Sequence, residues 1–153
     1  MRVCLGGTFE FLHAGHQQLL RTALDLAGPD GSLLIGLTTD AFLTTKGTHS
    51  SYPDRLAALT AFLKKQDTTA TVRIIPLNDA YGPAVDADLD IIVVSPETRP
   101  AAEQINRLRQ QRGKPRLQIV EVPFVLAADG RPISSTRIRR HEILPDGTLR
   151  RHG

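Results

Sequence analysis

The stretch Val3-Cys4-Leu5-Gly6-Gly7-Thr8-Phe9-Glu10-Phe11-Leu12-His13-Ala14-Gly15-His16 decides how this chain is read. A short apolar strand, Val3-Cys4-Leu5, runs straight into a glycine pair. Two histidines follow, three residues apart, where an amphipathic helix from His16 to about Ala27 is expected to begin. Glycine lets the backbone approach a ligand closely, and a helix start offers unpaired N–H groups and a positive dipole end. Imidazoles added at that place make a site suited to the phosphates of a nucleotide.

Outward from this stretch, apolar β-type runs alternate with helical patterns. Ser32–Leu37 is the second strand, opened by the turn Gly28-Pro29-Asp30-Gly31. Thr38 to Tyr52 is polar, contains Lys46-Gly47 and reads as a loop with a helical turn around Ala41–Leu43. Pro53-Asp54-Arg55 starts a helix whose Leu56, Leu59, Phe62 and Leu63 follow helical spacing. Val72–Pro76 is the third strand, and Asp90–Val94 has the continuous apolar character of a strand buried on both faces. A helix is expected from about Ala101 to Gln111, ending near Gly113, then a fifth strand, Leu117–Val122. After the turn at Asp129-Gly130, Ile133–His141 begins a last helix that Ser134 and Ser135 can cap.

Strands separated by helices predict an α/β fold, a five-stranded parallel sheet with helices on both faces. Ligands of such sheets sit outside the C-terminal ends of the strands. The motif His13–His16 after strand one, Lys46 after strand two and Ser95–Arg99 after strand four all fall there. No repeat, low-complexity segment or linker interrupts the pattern, so residues 1–153 read as one domain, with 146–153 as a partly ordered tail.

Composition agrees. Hydrophobic residues make up 41% and charged residues 23%, the balance of a soluble globular protein with one ordinary core. No apolar run approaches the roughly 18 residues of a membrane span. The N-terminus enters a strand without the basic and apolar segments of a signal peptide, and a cytoplasmic location without membrane partners is expected. Cys4, the single cysteine, cannot form an internal disulfide and lies in an apolar strand, where a buried packing thiol is expected. The net charge of +3 gathers toward the C-terminus, in Arg107–Arg116 and Arg131–Arg151. A basic surface can hold nucleic acid or a small polyanion such as a triphosphate. With two tyrosines and no tryptophan, base-stacking platforms are scarce, and nucleic acid is not the expected partner.

The glycine pair fits neither the Gly-x-Gly-x-x-Gly dinucleotide fingerprint nor a phosphate loop ending in Gly-Lys-Ser/Thr. Gly7-Thr8-Phe9-Glu10-Phe11-Leu12-His13-Ala14-Gly15-His16 does resemble the signature of the nucleotidyltransferase superfamily, Gly-Thr-Phe-(acidic)-x-x-His-x-Gly-His, which implies a Rossmann-like nucleotidyltransferase fold. Imidazoles there can donate to phosphate oxygens as charge shifts during attack at phosphorus. Two other uses of the pair stay open: a metal pair, for which no nearby third ligand is evident, and plain capping or core histidines. A second constellation, Ile133-Ser134-Ser135-Thr136-Arg137-Ile138-Arg139, places hydroxyls and arginines at a helix start and again describes a phosphate-binding corner. Alone it could be no more than a capped basic helix; the superfamily carries an Ile-Ser-(Ser/Thr) motif at this position.

Val94-Ser95-Pro96-Glu97-Thr98, Ile105-Asn106, Arg109, Gly113, Pro115, Asp129-Gly130 and Ile133–Ile138 sharpen the resemblance. From Val3 to Ile143 the chain looks like the archaeal and eukaryotic type of phosphopantetheine adenylyltransferase. The resemblance implies the reaction of ATP with 4'-phosphopantetheine to give dephospho-coenzyme A and pyrophosphate, with Mg2+, in coenzyme A synthesis. It also implies residue roles. His16 stabilises charge on the α-phosphate, and His13 binds the ATP phosphates. Thr8 touches the reacting phosphates, with the Thr8–Phe9 backbone near ATP, and Lys46 holds the acceptor phosphate. Ser134, Ser135, Thr136 and Arg137 bind the β- and γ-phosphates. Ser95, Pro96 and Glu97 lie where adenosine rests, with Arg99 offered as a further phosphate contact. Two departures are visible: Glu10 where Asp is usual and His141 where Gly is usual. Other readings remain open at this point. They are a related transferase with a nicotinamide mononucleotide, FMN or phospho-polyol acceptor, and a non-catalytic nucleotide-binding module. Oligomeric state is not fixed by the sequence.

Overall fold

A computed structural model describes residues 1–43, 50–79 and 81–150. Among these residues, five strands form one wholly parallel sheet: β1 (Arg2–Gly7), β2 (Ser32–Thr38), β3 (Thr71–Leu77), β4 (Ile91–Val94) and β5 (Gln118–Glu121). Their order is β3-β2-β1-β4-β5. The chain winds outward from β1 on one side, then crosses to β4 on the other, which opens a crevice beyond the C-terminal ends of β1 and β4. Among the described residues, four helices accompany the sheet: α1 (Ala14–Ala27), α2 (Tyr52–Lys64), α3 (Arg99–Gln111) and the short α4 (Ser135–Arg139).

Strand alternation sends neighbouring residues to opposite faces, and both faces are buried. Val3, Leu5, Leu33, Ile35, Ile91 and Val93 pack against Leu20, Ala23 and Leu24 of α1 and Leu59 and Phe62 of α2. Cys4, Ile92 and Val94 face the other way, onto Ala102 and Ile105 of α3. Burial pushes the Cys4 thiol up to about 12, so it packs as an apolar side chain. A smaller cluster of Ala127, Ile133, Ile138 and Ile143 also packs on Ala14, tying the C-terminal segment to the start of α1. Among the described residues no helix is long and apolar enough to cross a membrane.

The expected fold class and its five strands are present, and several boundaries differ for local reasons. α1 starts at Ala14 rather than His16, because His13 is its N-cap. α4 is confined to Ser135–Arg139: Ser134 is its cap, and His141, with φ +60°, ends it in the left-handed region. Two 3-10 turns, Glu10–Leu12 and Gly82–Val85, had no expectation attached to them. Residues 146–150 do not trail away. The Gly147 carbonyl accepts from Ala128 N, Leu144 N donates to Thr148 O, and Ile143 bridges to Leu149.

Candidate active site

At the exit of β1 the backbone does something the glycine pair did not announce. Gly6 and Gly7 complete the strand, and the left-handed conformations fall on Phe9 (φ 53°), Phe11 (φ 62°) and Leu12 (φ 44°). Such conformations cost of order 1–3 kcal/mol each in non-glycine residues and persist where surrounding structure fixes them. The fixing groups are evident. Phe9 is buried, and the buried Glu10 carboxylate accepts from Ser50 N (2.9 Å) and Ser50 Oγ (2.9 Å). The extra methylene of Glu10 is thus part of a tie to the approach of α2. The Glu10 carbonyl accepts from Ser135 Oγ (3.3 Å), joining this turn to the hydroxyl-rich corner 125 residues away.

The two histidines interlock. His16 N donates to His13 Nδ1 (3.3 Å), and His13 N donates to His16 Nδ1 (3.3 Å), a reciprocal cap at the start of α1. The rings stack with centroids 3.6 Å apart, and Phe9 meets His16 edge-on at 5.3 Å. Gly15 permits this arrangement: a Cβ there would lie 2.9 Å from His13 Cε1 and 3.1 Å from Nδ1. Because each Nδ1 accepts, each neutral ring carries its proton on Nε2. The rings therefore cap the helix with one nitrogen and keep an N–H donor at the other, so capping leaves each ring a donor for a ligand. Burial lowers His13 to about 4; burial, then the charge of His13, lowers His16 to about 3. Both are neutral donors at pH 7.

One cavity of about 960 Å³ takes in Thr8, His13 and His16 from the N-terminal segment and Ser134, Ser135 and Thr136 from the C-terminal one. Its size suits a nucleotide with a second substrate. Ser134 Oγ accepts from Arg137 N (3.2 Å), fixing the corner. Phe9, Ser95, Glu97 and Thr98 also line the cavity, while Pro96 does not. Ser95 and Thr98 close a small turn on themselves, with Ser95 N donating to Thr98 Oγ1 (3.0 Å).

Two arginines expected to face phosphate are committed elsewhere. Arg137 reaches the cavity wall, but its Nε donates to Glu142 Oε2 (3.0 Å), its Nη2 to Asp129 and its Nη1 to Pro132 O (3.1 Å). The Asp129 carboxyl is held down at about 2, chiefly by that arginine. Arg99 pairs with Glu103 (3.2 Å) and Glu121 (3.7 Å) and does not line the cavity. Arg139 does line it, is exposed, and makes no ion pair among the described residues. Lys46 lies outside the described residues. No three His, Cys, Asp or Glu side chains come together as a metal cage among the described residues.

Three further features of the site went unread in the sequence. Leu77 packs over Gly6 and Gly36, where a Cβ on either would stand 3.3 Å from it, and with Tyr81, Pro83 and Ala84 it extends the cavity as an apolar groove beside β2 and β3. Arg109, buried on α3, donates to Ala84 O (2.8 Å), Ala87 O (2.8 Å) and Pro115 O (2.7 Å), holding that groove wall. Arg55, buried on α2, donates to Thr8 O (3.1 Å) and Thr38 O (2.8 Å) behind the histidine end of the cavity. Helix arginines usually point to water, so only a contact map exposes these two.

Comparison with known proteins places this geometry. The Cytidylyltransferase-like family profile matches residues 4–141. A phosphopantetheine adenylyltransferase of Methanosarcina acetivorans is 44% identical over 98% of this chain and 96% of its own length. That of Methanopyrus kandleri is 47% identical over 90% of this chain and 88% of its own. A crystal structure of a protein of unknown function from Archaeoglobus fulgidus superposes with a TM-score of 0.72 at 34% identity, covering 80% of this chain and 89% of that one. With the stacked imidazoles and the hydroxyl corner on one cavity, and with this likeness along nearly its whole length, the chain belongs to the Cytidylyltransferase-like family and, within it, to the phosphopantetheine adenylyltransferases.

Proposed function

We propose that the protein transfers the adenylyl group of ATP to 4'-phosphopantetheine, yielding dephospho-coenzyme A and pyrophosphate in coenzyme A synthesis. The observation that carries this reading is the joining, in one cavity, of an end lined by imidazoles and hydroxyls to an apolar groove. The first suits a triphosphate; the second suits the uncharged arm of the acceptor.

The attacking atom is a phosphate oxygen of the acceptor, already anionic at pH 7, so no general base is required and the protein's work is alignment and charge stabilisation. The Nε2–H groups of His16 and His13 face the α-phosphate and receive the charge that develops there. Thr8 and the Thr8–Phe9 backbone approach the reacting phosphates. Ser134, Ser135 and Thr136 bind the β- and γ-phosphates, which leave as pyrophosphate. Arg137 holds that corner through Asp129 and Glu142, and Arg139 supplies the cation that meets the leaving group. Adenosine rests against Ser95 and Glu97, and Lys46 takes the acceptor phosphate. The acceptor arm lies over Leu77, Gly36 and Tyr81. Mg2+ would come bound to phosphate oxygens and water, as its preference for nucleotide oxygens over protein cages favours, and would neutralise charge on the leaving pyrophosphate. The reading places the protein in the cytoplasm, with its substrates as partners.

A panel of ATP and CTP against 4'-phosphopantetheine, nicotinamide mononucleotide, FMN and glycerol 3-phosphate, followed by pyrophosphate release, tests this. ATP with 4'-phosphopantetheine is expected to be the fastest pair by at least about tenfold. Faster turnover with any other acceptor would overturn the assignment.

A further inference from the structure

A guanidinium removed from water needs a partner for each of its donors, and an arginine that finds them on several chain segments fixes those segments relative to one another. The Arg55 side chain is 1% exposed. Its Nε donates to Ser50 O (2.9 Å). Its Nη1 donates to Thr8 O (3.1 Å), Thr38 O (2.8 Å) and Thr38 Oγ1 (3.3 Å). Its Nη2 donates to Asp40 Oδ1 (3.0 Å), whose carboxylate also accepts from Tyr52 N (2.9 Å). Its Cζ lies 5.8 Å from the Tyr52 ring centre. The Thr38 hydroxyl, in turn, donates to Thr8 Oγ1 (3.0 Å).

We propose that Arg55 is a positioning residue for adenylyl transfer: from beneath the cavity, acting directly on the Thr8 carbonyl and through Thr38 on the Thr8 hydroxyl, it fixes Thr8 against the reacting phosphates. Thr8 follows β1 and precedes three left-handed residues, so its own backbone does not determine where it sits. Its carbonyl and its hydroxyl are instead set by the Arg55–Thr38 pair. A lysine could keep the charge but has no planar fork able to bridge the ends of β1 and β2 with the approach of α2. The inference rests on the role given to Thr8 above.

The test uses Arg55→Lys and Thr38→Val in the full chain, assayed with ATP and 4'-phosphopantetheine, with thermal melts alongside. Misplacement of a positioned group by about 1 Å costs about a hundredfold in rate. We expect kcat to fall about 10- to 100-fold in Arg55→Lys and about 3- to 10-fold in Thr38→Val, with KM for both substrates within about threefold. A purely structural brace would lower the melting temperature and leave kcat of the folded fraction unchanged, and that result would overturn the proposal. A loss residing wholly in KM would overturn it too. If Arg55→Lys does not fold, Thr38→Val decides alone. His16→Ala in the same assay separates the two levels: a disabled His16 variant beside fully active Arg55 and Thr38 variants defeats this inference only, whereas an active His16 variant defeats the site reading beneath it.

Discussion

Replacing Gly15 by alanine separates the catalytic value of the histidine stack from its structural value. The new Cβ would stand 2.9 Å from His13 Cε1 and 3.1 Å from His13 Nδ1, closer than carbon atoms tolerate, so the His13 ring must swing off the helix start. Swinging breaks the 3.3 Å bond from His16 N to His13 Nδ1 and separates rings now 3.6 Å apart. Losing a cap costs about 0.5–2 kcal/mol. Alanine in place of glycine within a helix returns about 0.5–1 kcal/mol. The two partly cancel, so stability should fall by no more than about 1.5 kcal/mol and the melting temperature by about 6 °C or less. Activity has no such compensation, because the shifted ring carries its Nε2 donor with it. Turnover should fall about 10²-fold. Steady-state pyrophosphate release and a thermal melt on the same preparation provide both readouts. Turnover within about threefold of wild type in a folded Gly15→Ala protein would refute the claim that the stack places the donors.

Other expectations follow from the same geometry. His16→Ala should lower turnover about 10²–10³-fold with a smaller change in ATP affinity, measured by kinetics and calorimetry. The lowered pKa values of His13 and His16, about 4 and about 3, mean that the unfolded chain binds more protons than the folded one between those values and about 6.5. Stability therefore declines as pH falls through that window, by at most about 1.4 kcal/mol per pH unit for each histidine. Urea melts at pH 7, 6 and 5 should show a shallower decline in His16→Gln than in wild type. His141→Gly should raise stability by about 0.5–1 kcal/mol, because φ +60° suits glycine, and chemical denaturation will show whether it does. Arg139→Ala should raise KM for ATP about tenfold while Arg99→Ala leaves it within about twofold, since only Arg139 reaches the cavity without an ion-pair partner.

The sheet was legible because its strands carry their own signal. Ile91–Val94 is apolar throughout, as a strand covered on both faces must be, and turn residues such as Gly28-Pro29-Asp30-Gly31 mark where the chain reverses. The candidate site was legible as two motifs, and burial of Ile133 and Ile138 against Ala14 explains why distant segments meet. What escaped was decided by contacts. Propensity assigns left-handed backbone to glycine, so nothing in Phe9, Phe11 or Leu12 announces it; the burial of Phe9 and the Glu10–Ser50 bonds impose it. The choice between Arg137 and Arg139 depends on which side chain finds Asp129 and Glu142, and both follow the same serine cap. Arg55 read as one more residue at a helix start, yet it is buried beneath Thr8.

The reverse reaction examines the central claim most directly. Purified protein is given dephospho-coenzyme A, pyrophosphate and Mg2+, and ATP formation is followed by luminescence, with His16→Ala assayed in parallel. Wild-type protein should produce ATP and 4'-phosphopantetheine in equal amounts, at a rate the His16 variant reduces about 10²-fold or more. No ATP from the wild-type protein, or equal rates from the two proteins, would contradict the account.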